Sequence, residues 1–250
     1  LRGCWGLTRR VRPWMLNMEG GVTVARKPRV HTSGFTQHVT QRGNNRAPCF
    51  FAAQDYQCYL QILKKAASLE AVQVHAYVLM TNHLHLLLTP ERDGGIAGLM
   101  KRVSQLYTQY VNYKYQRTGS IWEGRYKSSV IDAEQYLLRC YRYIEMNPVR
   151  AGITSKPSDY LWSSARWHGL GRPSAIITDH PLYLALGSTQ EKRQCRYRQL
   201  FRDALGDELV SELRESFSLE KVLGDSGFQE KVFNSRGTDG GDGTGVAGGG

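Results

Sequence analysis

Residues 72–90, "VQVHAYVLMTNHLHLLLTP", narrow most sharply what this chain can fold into. "VQVHAYVLM" alternates and is rich in β-branched residues, "HLHLLLTP" follows after only Thr81 and Asn82, and Pro90 closes the run. Two residues between two strand-forming segments suit a tight hairpin, so the segments are predicted to be antiparallel neighbours. In a strand successive side chains point to opposite faces, which puts His83 and His85 on one face and Leu84 and Leu86 on the other. In a helix the same two histidines would diverge by roughly 200°. Two imidazoles on one strand face are a two-ligand start for a divalent metal. A packed, hydrogen-bonded pair is the competing reading, and the hairpin by itself does not choose.

The flanking sequence supplies partners for the hairpin. "GFTQHVTQRG" (34–43) reads as a strand ending in a turn at "NNR". Residues 53–71 place Tyr56, Tyr59, Leu60, Leu63 and Ala67 at helical spacing behind a helix-starting Asp55. Residues 95–117 form an amphipathic helix through Ile96, Leu99, Val103, Leu106 and Tyr110. "TGS" breaks it, and "IWEGRYKSSVID" follows as a loop and strand carrying Arg125 and Lys127. The helix at 133–146 must end near Asn147, because Pro148 disfavours helical geometry in the residue before it. This order of elements predicts an α+β fold, an antiparallel sheet with helices packed on it, over residues 28–170. Residues 171–233 read as an accessory C-terminal helical region, 1–27 as a basic disordered leader, and 234–250 as a disordered glycine-rich tail. The first residue is not Met, and we expect the native start at Met15 or Met18.

Charge points to the partner. Lys and Arg number 33 against 22 acidic residues, a net charge of +11, which favours a polyanion and nucleic acid first. A generally basic soluble protein is the alternative. Several of the 14 tyrosines sit among basic residues, a mixture that can stack on bases and pair with phosphates. The five cysteines are widely spaced with no C-x-x-C pair, so neither a zinc knuckle nor a disulfide framework is indicated; reduced thiols in a cytoplasmic protein are the plain reading. No apolar run is long enough to span a membrane, and the basic opening lacks the continuous apolar stretch of a signal peptide.

The helix 133–146 offers what the histidine pair lacks. Tyr143 and Asn147 are four residues apart and so share a helix face. An asparagine carbonyl can complete a hard-metal site, and a tyrosine hydroxyl beside that metal can act as a nucleophile. Tyr141 points to nearly the opposite side, while Tyr136 and Cys140 share the face but lie farther from Asn147 and read as packing. Tyr107, Tyr110, Tyr113 and Tyr115 are expected to pack or to stack on DNA. His38 and His75 fall in neighbouring predicted strands, where core or supporting roles are expected. Glu145 is expected to face solvent. Arg42, Arg125, Lys127 and Arg150 are candidate phosphate contacts, with solvated surface charge as the alternative.

"VLMTNHLHLLLTP" followed by "LLRCYRYIEMNPVRAG" resembles the single-tyrosine HUH transposases, specifically the REP-associated tyrosine transposases, over roughly residues 25–169. "SIWEGRYKS" is similar to the family's tryptophan-plus-arginine segment, and "EKVLGDSGFQEKV" to the tail of its longer members. Thr81 departs from the pattern, standing where proline is expected before "NHLH". The resemblance implies a ferredoxin-like or RRM-like HUH fold. It implies that His83, His85 and Asn147 hold Mg²⁺ or Mn²⁺, and that Tyr143 attacks a phosphate of single-stranded DNA to give a 5′-phosphotyrosine and a free 3′-OH. Hairpin-forming repeats are the implied substrate, and the acting species is a monomer or a homodimer. Two rivals stay open: a non-catalytic single-strand nucleic-acid-binding module, and a replication-initiation nickase of the same chemistry.

Overall fold

The computed structural model describes residues 33–202 and 205–235. Its centre is the hairpin: β2 (Val72–Met80) and β3 (His83–Pro90) pair antiparallel, with Met80 opposite His83 across the Thr81–Asn82 turn. β1 (Gln37–Arg42) lies on the other side of β3 and β4 (Lys127–Val130) beyond β1, an antiparallel sheet in the order β2-β3-β1-β4. The predicted α+β arrangement is thus the observed one.

The sheet is covered on both faces. Leu84, Leu86 and Leu88 of β3 and Val39 of β1 pack with Tyr59 and Leu63 of α1 (Ala53–Leu69) and with Leu99 and Val103 of α2 (Gly95–Tyr115). On the opposite face Leu87, Ala76, Val78 and Met80 meet Leu137, Cys140 and Ile144 of α3 (Ala133–Glu145). His83 and His85 share the parity of Leu87, so the imidazoles look towards α3.

One irregularity was not legible. The β2–β3 register jumps from Val74↔Leu88 to Ala76↔Leu87, so His75 is an extra residue in a β-bulge. Val72 and Val74 therefore share a core with Tyr77 and Leu79, although strict alternation would separate these pairs. His75 is buried as a packing residue, its ring nitrogens 2.8 Å from the Thr178 carbonyl and 2.9 Å from Thr89 Oγ1.

α3 begins at an Asp132 side chain that accepts from the Glu134 amide at 3.1 Å, and it ends at Glu145, near the predicted boundary, although Asn147 before Pro148 is itself helical. The chain does not leave helical geometry for long. Met146 (φ −80°, ψ −4°) leads straight into the short α4 (Asn147–Arg150), so Asn147 opens a new turn rather than marking a stop.

The C-terminal region is helical, through α5 (Ala165–Leu170), α6 (Pro181–Leu184), α7 (Gln190–Gln199), α8 (Asp207–Ser218) and α9 (Ser226–Asn234). It is no loose appendage, because Tyr183, Tyr197, Leu213 and Phe217 lie in the same buried cluster as α3. This burial corrects the expectation for Glu145, which is fully buried rather than facing solvent. Its Oε1 accepts from Ser164 Oγ (2.6 Å) and His168 Nδ1 (2.7 Å), and its Oε2 accepts from the Tyr197 hydroxyl (2.7 Å). The outer face of α3 looked solvent-exposed only because no local pattern announces the helices that cover it. The expected basic leader at 1–27 and the glycine-rich residues from 236 onward lie outside the described residues. No described helix is long and apolar enough to cross a membrane.

A carboxylate held by three donors is expensive to leave short of one, about 1–3 kcal/mol for the lost partner of a buried group. Tyr197→Phe should therefore lower the unfolding free energy by roughly that amount in chemical denaturation, whereas Tyr113→Phe, at a residue 83% exposed, should leave it within about 0.5 kcal/mol. Equal effects of the two would refute this anchoring role.

Candidate active site

Ladder register sets the first wall of the site. Thr40 pairs with His85 and Arg42 with His83, so the ends of β1 and β3 present these side chains together on the α3 face. The His83 and His85 rings lie 5.2 Å apart at 88° to one another. Behind them sits His38, whose Nε2 is 2.9 Å from His85 Nδ1. The supporting role expected of His38 is the one its position allows.

α3 supplies the second wall. Tyr143 is only 6% exposed, with its ring centroid 5.8 Å from that of His85 and 6.2 Å from that of His38, edge-on to both. Asn147 Nδ2 donates to the carbonyls of Tyr143 (3.0 Å) and Ile144 (3.1 Å), which leaves its side-chain oxygen as the free end of the amide. His83, His85, Tyr143 and Asn147 all line one cleft of about 660 Å³. Tyr143 is its only lining tyrosine among the described residues. Tyr141 is buried on another side of α3, stacked on His168, and Cys140 is buried beside it. The hydroxyl of Tyr107 donates to the Cys49 carbonyl, and those of Tyr110 and Tyr115 donate to Asp55.

The four basic candidates part company. Arg42, Arg125 and Lys127 line the cleft, although Lys127 Nζ also donates to the Ser218 carbonyl at the end of α8 (3.0 Å). Arg150 does not line it. Its guanidinium lies 4.7 Å from the Tyr143 ring centroid and donates to the Tyr143 carbonyl. The C-terminal helices were expected to add DNA contacts, but not these residues: Arg214, Phe217 and Ser218 of α8 form a third wall that closes the cleft, with Phe217 stacked on His38 at 3.6 Å and edge-on to Tyr143 at 5.3 Å. The helical spacing of Val210, Leu213 and Phe217 announces a buried face, but nothing local says which surface it covers.

Burial sets the protonation states. Desolvation, and then the charge of Arg42, lowers His83 to about 4. Desolvation also takes His38 down to about 3, and His85 well below its ordinary value. Neutral imidazoles are what a metal requires. The orientation of His83 fits as well. Asn82 Nδ2 donates to the Arg46 carbonyl (3.0 Å), so Asn82 Oδ1 is the atom that meets His83 Nδ1 at 2.7 Å. An amide oxygen can only accept, hence Nδ1 carries the proton and Nε2 keeps its lone pair. Among the described residues no three His, Cys, Asp or Glu side chains are placed to hold a metal ion. Among the groups lining the cleft, the Asn147 side-chain amide offers a neutral oxygen of the kind that suits a hard cation. For Tyr143, burial raises the hydroxyl above its usual value, and the charges of Arg150 and Arg214 act the other way.

Comparison with known proteins places this arrangement. Residues 31–147, which span the sheet and α3 through Asn147, match the family model described as "Transposase IS200 like". The chain is 24% identical over 137 residues to the REP-associated tyrosine transposase of Escherichia coli (strain K12), covering 54% of this chain and 79% of that protein. A solved structure of a REP-associated tyrosine transposase bound to a REP hairpin aligns with a TM-score of 0.51 and 21% identity, over 63% of this chain and 95% of its own. At that identity the likeness is one of fold.

Three buried histidines and the half-buried His83 make stability depend on pH. His38, His75, His83 and His85 all titrate lower in the folded chain, so between about pH 6.5 and about 4 the unfolded chain binds more protons. The stability they contribute is complete above the unfolded value and is lost as the pH falls through that window. Denaturation midpoints measured from pH 7 to pH 4.5 should drop with an uptake of roughly two protons or more on unfolding; a flat profile would contradict the burial described.

Proposed function

We propose, from the match of residues 31–147 to the family model described as "Transposase IS200 like", that the protein cuts and rejoins single-stranded DNA through a covalent link to Tyr143. The observation that carries the reading is one cleft lined by His83 and His85 from β3, by Tyr143 near the end of α3 and by Asn147 at the start of α4. A module that only binds nucleic acid has no need of this convergence. Its surface charge of +11 would be enough.

In this reading Arg42, Arg125 and Lys127 draw the DNA backbone into the cleft, and Arg214 meets it from α8. The Tyr143 oxygen attacks the scissile phosphorus. The new bond is P–O(Tyr143), the broken one is the P–O bond to the 3′ oxygen, the phenolic proton is released, and the 3′ oxygen leaves as a hydroxyl. Return of a 3′-OH to the same phosphorus reverses the step, so strands are rejoined without nucleotide energy. His83, His85 and Asn147 would hold Mg²⁺ or Mn²⁺, which when bound polarises the phosphate and offsets charge developing on it. The burial of Tyr143 keeps bulk water from the phosphotyrosine, protecting the link from hydrolysis. Hairpin-forming repeats are the substrate we favour, because a protein of similar fold has been solved bound to a REP hairpin.

Incubation with a labelled hairpin oligonucleotide and Mn²⁺ should yield an adduct that survives denaturation. Tyr143→Phe should abolish the adduct while leaving binding to the same oligonucleotide within about threefold, since only the reacting oxygen is removed. An adduct on Tyr143→Phe equal to that of the unsubstituted protein, or none from either on any single-stranded substrate, would remove the catalytic reading and leave a DNA-binding module.

A further inference from the structure

We propose that His38 is a positioning residue that determines which nitrogen His85 offers to the cleft, and so whether a divalent cation can be held there. The inference rests on the reading of His83 and His85 as cation ligands and adds a control element to it. The 2.9 Å contact between His38 Nε2 and His85 Nδ1 holds one proton, so one ring donates and the other accepts. If His38 donates, His85 carries its proton on Nε2 and presents an N–H to the cleft, where no cation can bind it. If His85 donates, its Nε2 lone pair faces the cleft. Only the second arrangement makes a ligand.

The two arrangements are not equally comfortable. His38 Nδ1 is buried with no hydrogen-bond partner. When His38 donates through Nε2, that orphan is an acceptor lone pair. When His38 accepts, its own proton must sit on Nδ1, and the orphan becomes a buried N–H, which proteins rarely leave unpaired. The resting pair therefore leans towards the arrangement that cannot bind, and a cation must tip it. His83 shows the contrast, because the Asn82 carbonyl oxygen, itself oriented by the Arg46 carbonyl, holds its Nε2 open permanently. One imidazole is preset and the other is switched. His38 has little freedom to turn away, lying stacked at 3.6 Å on Phe217 and opposite Leu87 in the ladder.

Two substitutions separate this role from packing. His38→Gln gives up the ring but can keep an acceptor for His85 Nδ1–H, whereas His38→Phe keeps the ring on Phe217 and removes the acceptor. Mn²⁺ affinity of the full chain, measured by calorimetry without DNA, should fall about 10–100-fold in His38→Phe, the usual effect of losing a ligand's supporting partner, and stay within about threefold in His38→Gln. A packing role predicts the reverse order, and that order, or unchanged affinity in His38→Phe, would overturn the proposal. A check that needs no variant is the imidazole ¹⁵N spectrum, in which the His85 proton should move from Nε2 to Nδ1 as Mg²⁺ is added. The same tautomer with and without Mg²⁺ would also overturn it. Should Mn²⁺ binding survive His83→Ala and His85→Ala undiminished, the ligand reading itself falls and this inference with it.

Discussion

Everything at the site hangs on the register between β1 and β3. The pairing of Thr40 with His85 and Arg42 with His83 sets the imidazoles beside a cation and brings His38 within reach of the same ring. Side chains alternate with a period of two, so slipping one strand by a residue would turn its set to the α1–α2 face and bury leucine where chemistry is needed. The register is well defended. Leu84, Leu86 and Leu88 fill one core and Leu87 the other, which makes any slip exchange apolar and polar side chains on both faces together. The bulge at His75 lies in β2, on the far side of β3, and leaves the β1–β3 pairing regular from Gln37 to Arg42.

A sheet face alone makes half a site. The other half depends on how α3 is held, and that is the work of a residue pointing away from the cleft. Glu145 lies between Tyr143 and Asn147 in sequence, and its carboxylate gathers Ser164, His168 and Tyr197 from segments that follow. Tyr143 faces the histidines because Glu145 faces the helices behind. One helix thus carries Tyr143 and its anchor Glu145 on opposed sides, two residues apart, as a repeat of 3.6 residues per turn allows. The C-terminal helices act on the site twice, from behind through Glu145 and from above through Phe217 and Arg214 of α8.

This division explains what could be read in advance. The hairpin, the shared face of His83 and His85, and the pairing of Tyr143 with Asn147 all follow from spacings of two and four, and such local rules survive folding. The supporting place of His38 and the packing of Cys140 were within reach for the same reason, whereas the order β2-β3-β1-β4 rests on pairings distant in sequence that no local spacing fixes. Glu145 was misread because its partners lie 19 to 52 residues away. Arg214 and Phe217 were missed because an amphipathic helix declares that it covers something without declaring what. Lys127 shows a subtler failure, since sequence marks a charge but not that the charge also closes the end of α8.

The charges around the cleft complete the physical case. Arg42, Arg125, Lys127 and Arg214 line it, and among the described residues Glu123 is the only lining carboxylate, so cations from three separate segments crowd one concavity. Like charges gathered in this way work against the folded state, and their cost falls when a polyanion enters. Arg42 also helps hold His83 neutral, so the field that attracts phosphate keeps the imidazole free to be a ligand. At His85 this field adds to burial in lowering the imidazole, through His38, His83, Arg150 and Arg42, whereas at Tyr143 burial raises the hydroxyl and Arg150 and Arg214 oppose that rise only in part. Neutral imidazoles, a phenolic oxygen and a phosphate would each respond to positive potential in the direction that the proposed phosphoryl transfer needs. Under the proposed function one arrangement of basic residues would serve binding, ligation and attack together, and a bound polyanion would offset their mutual repulsion.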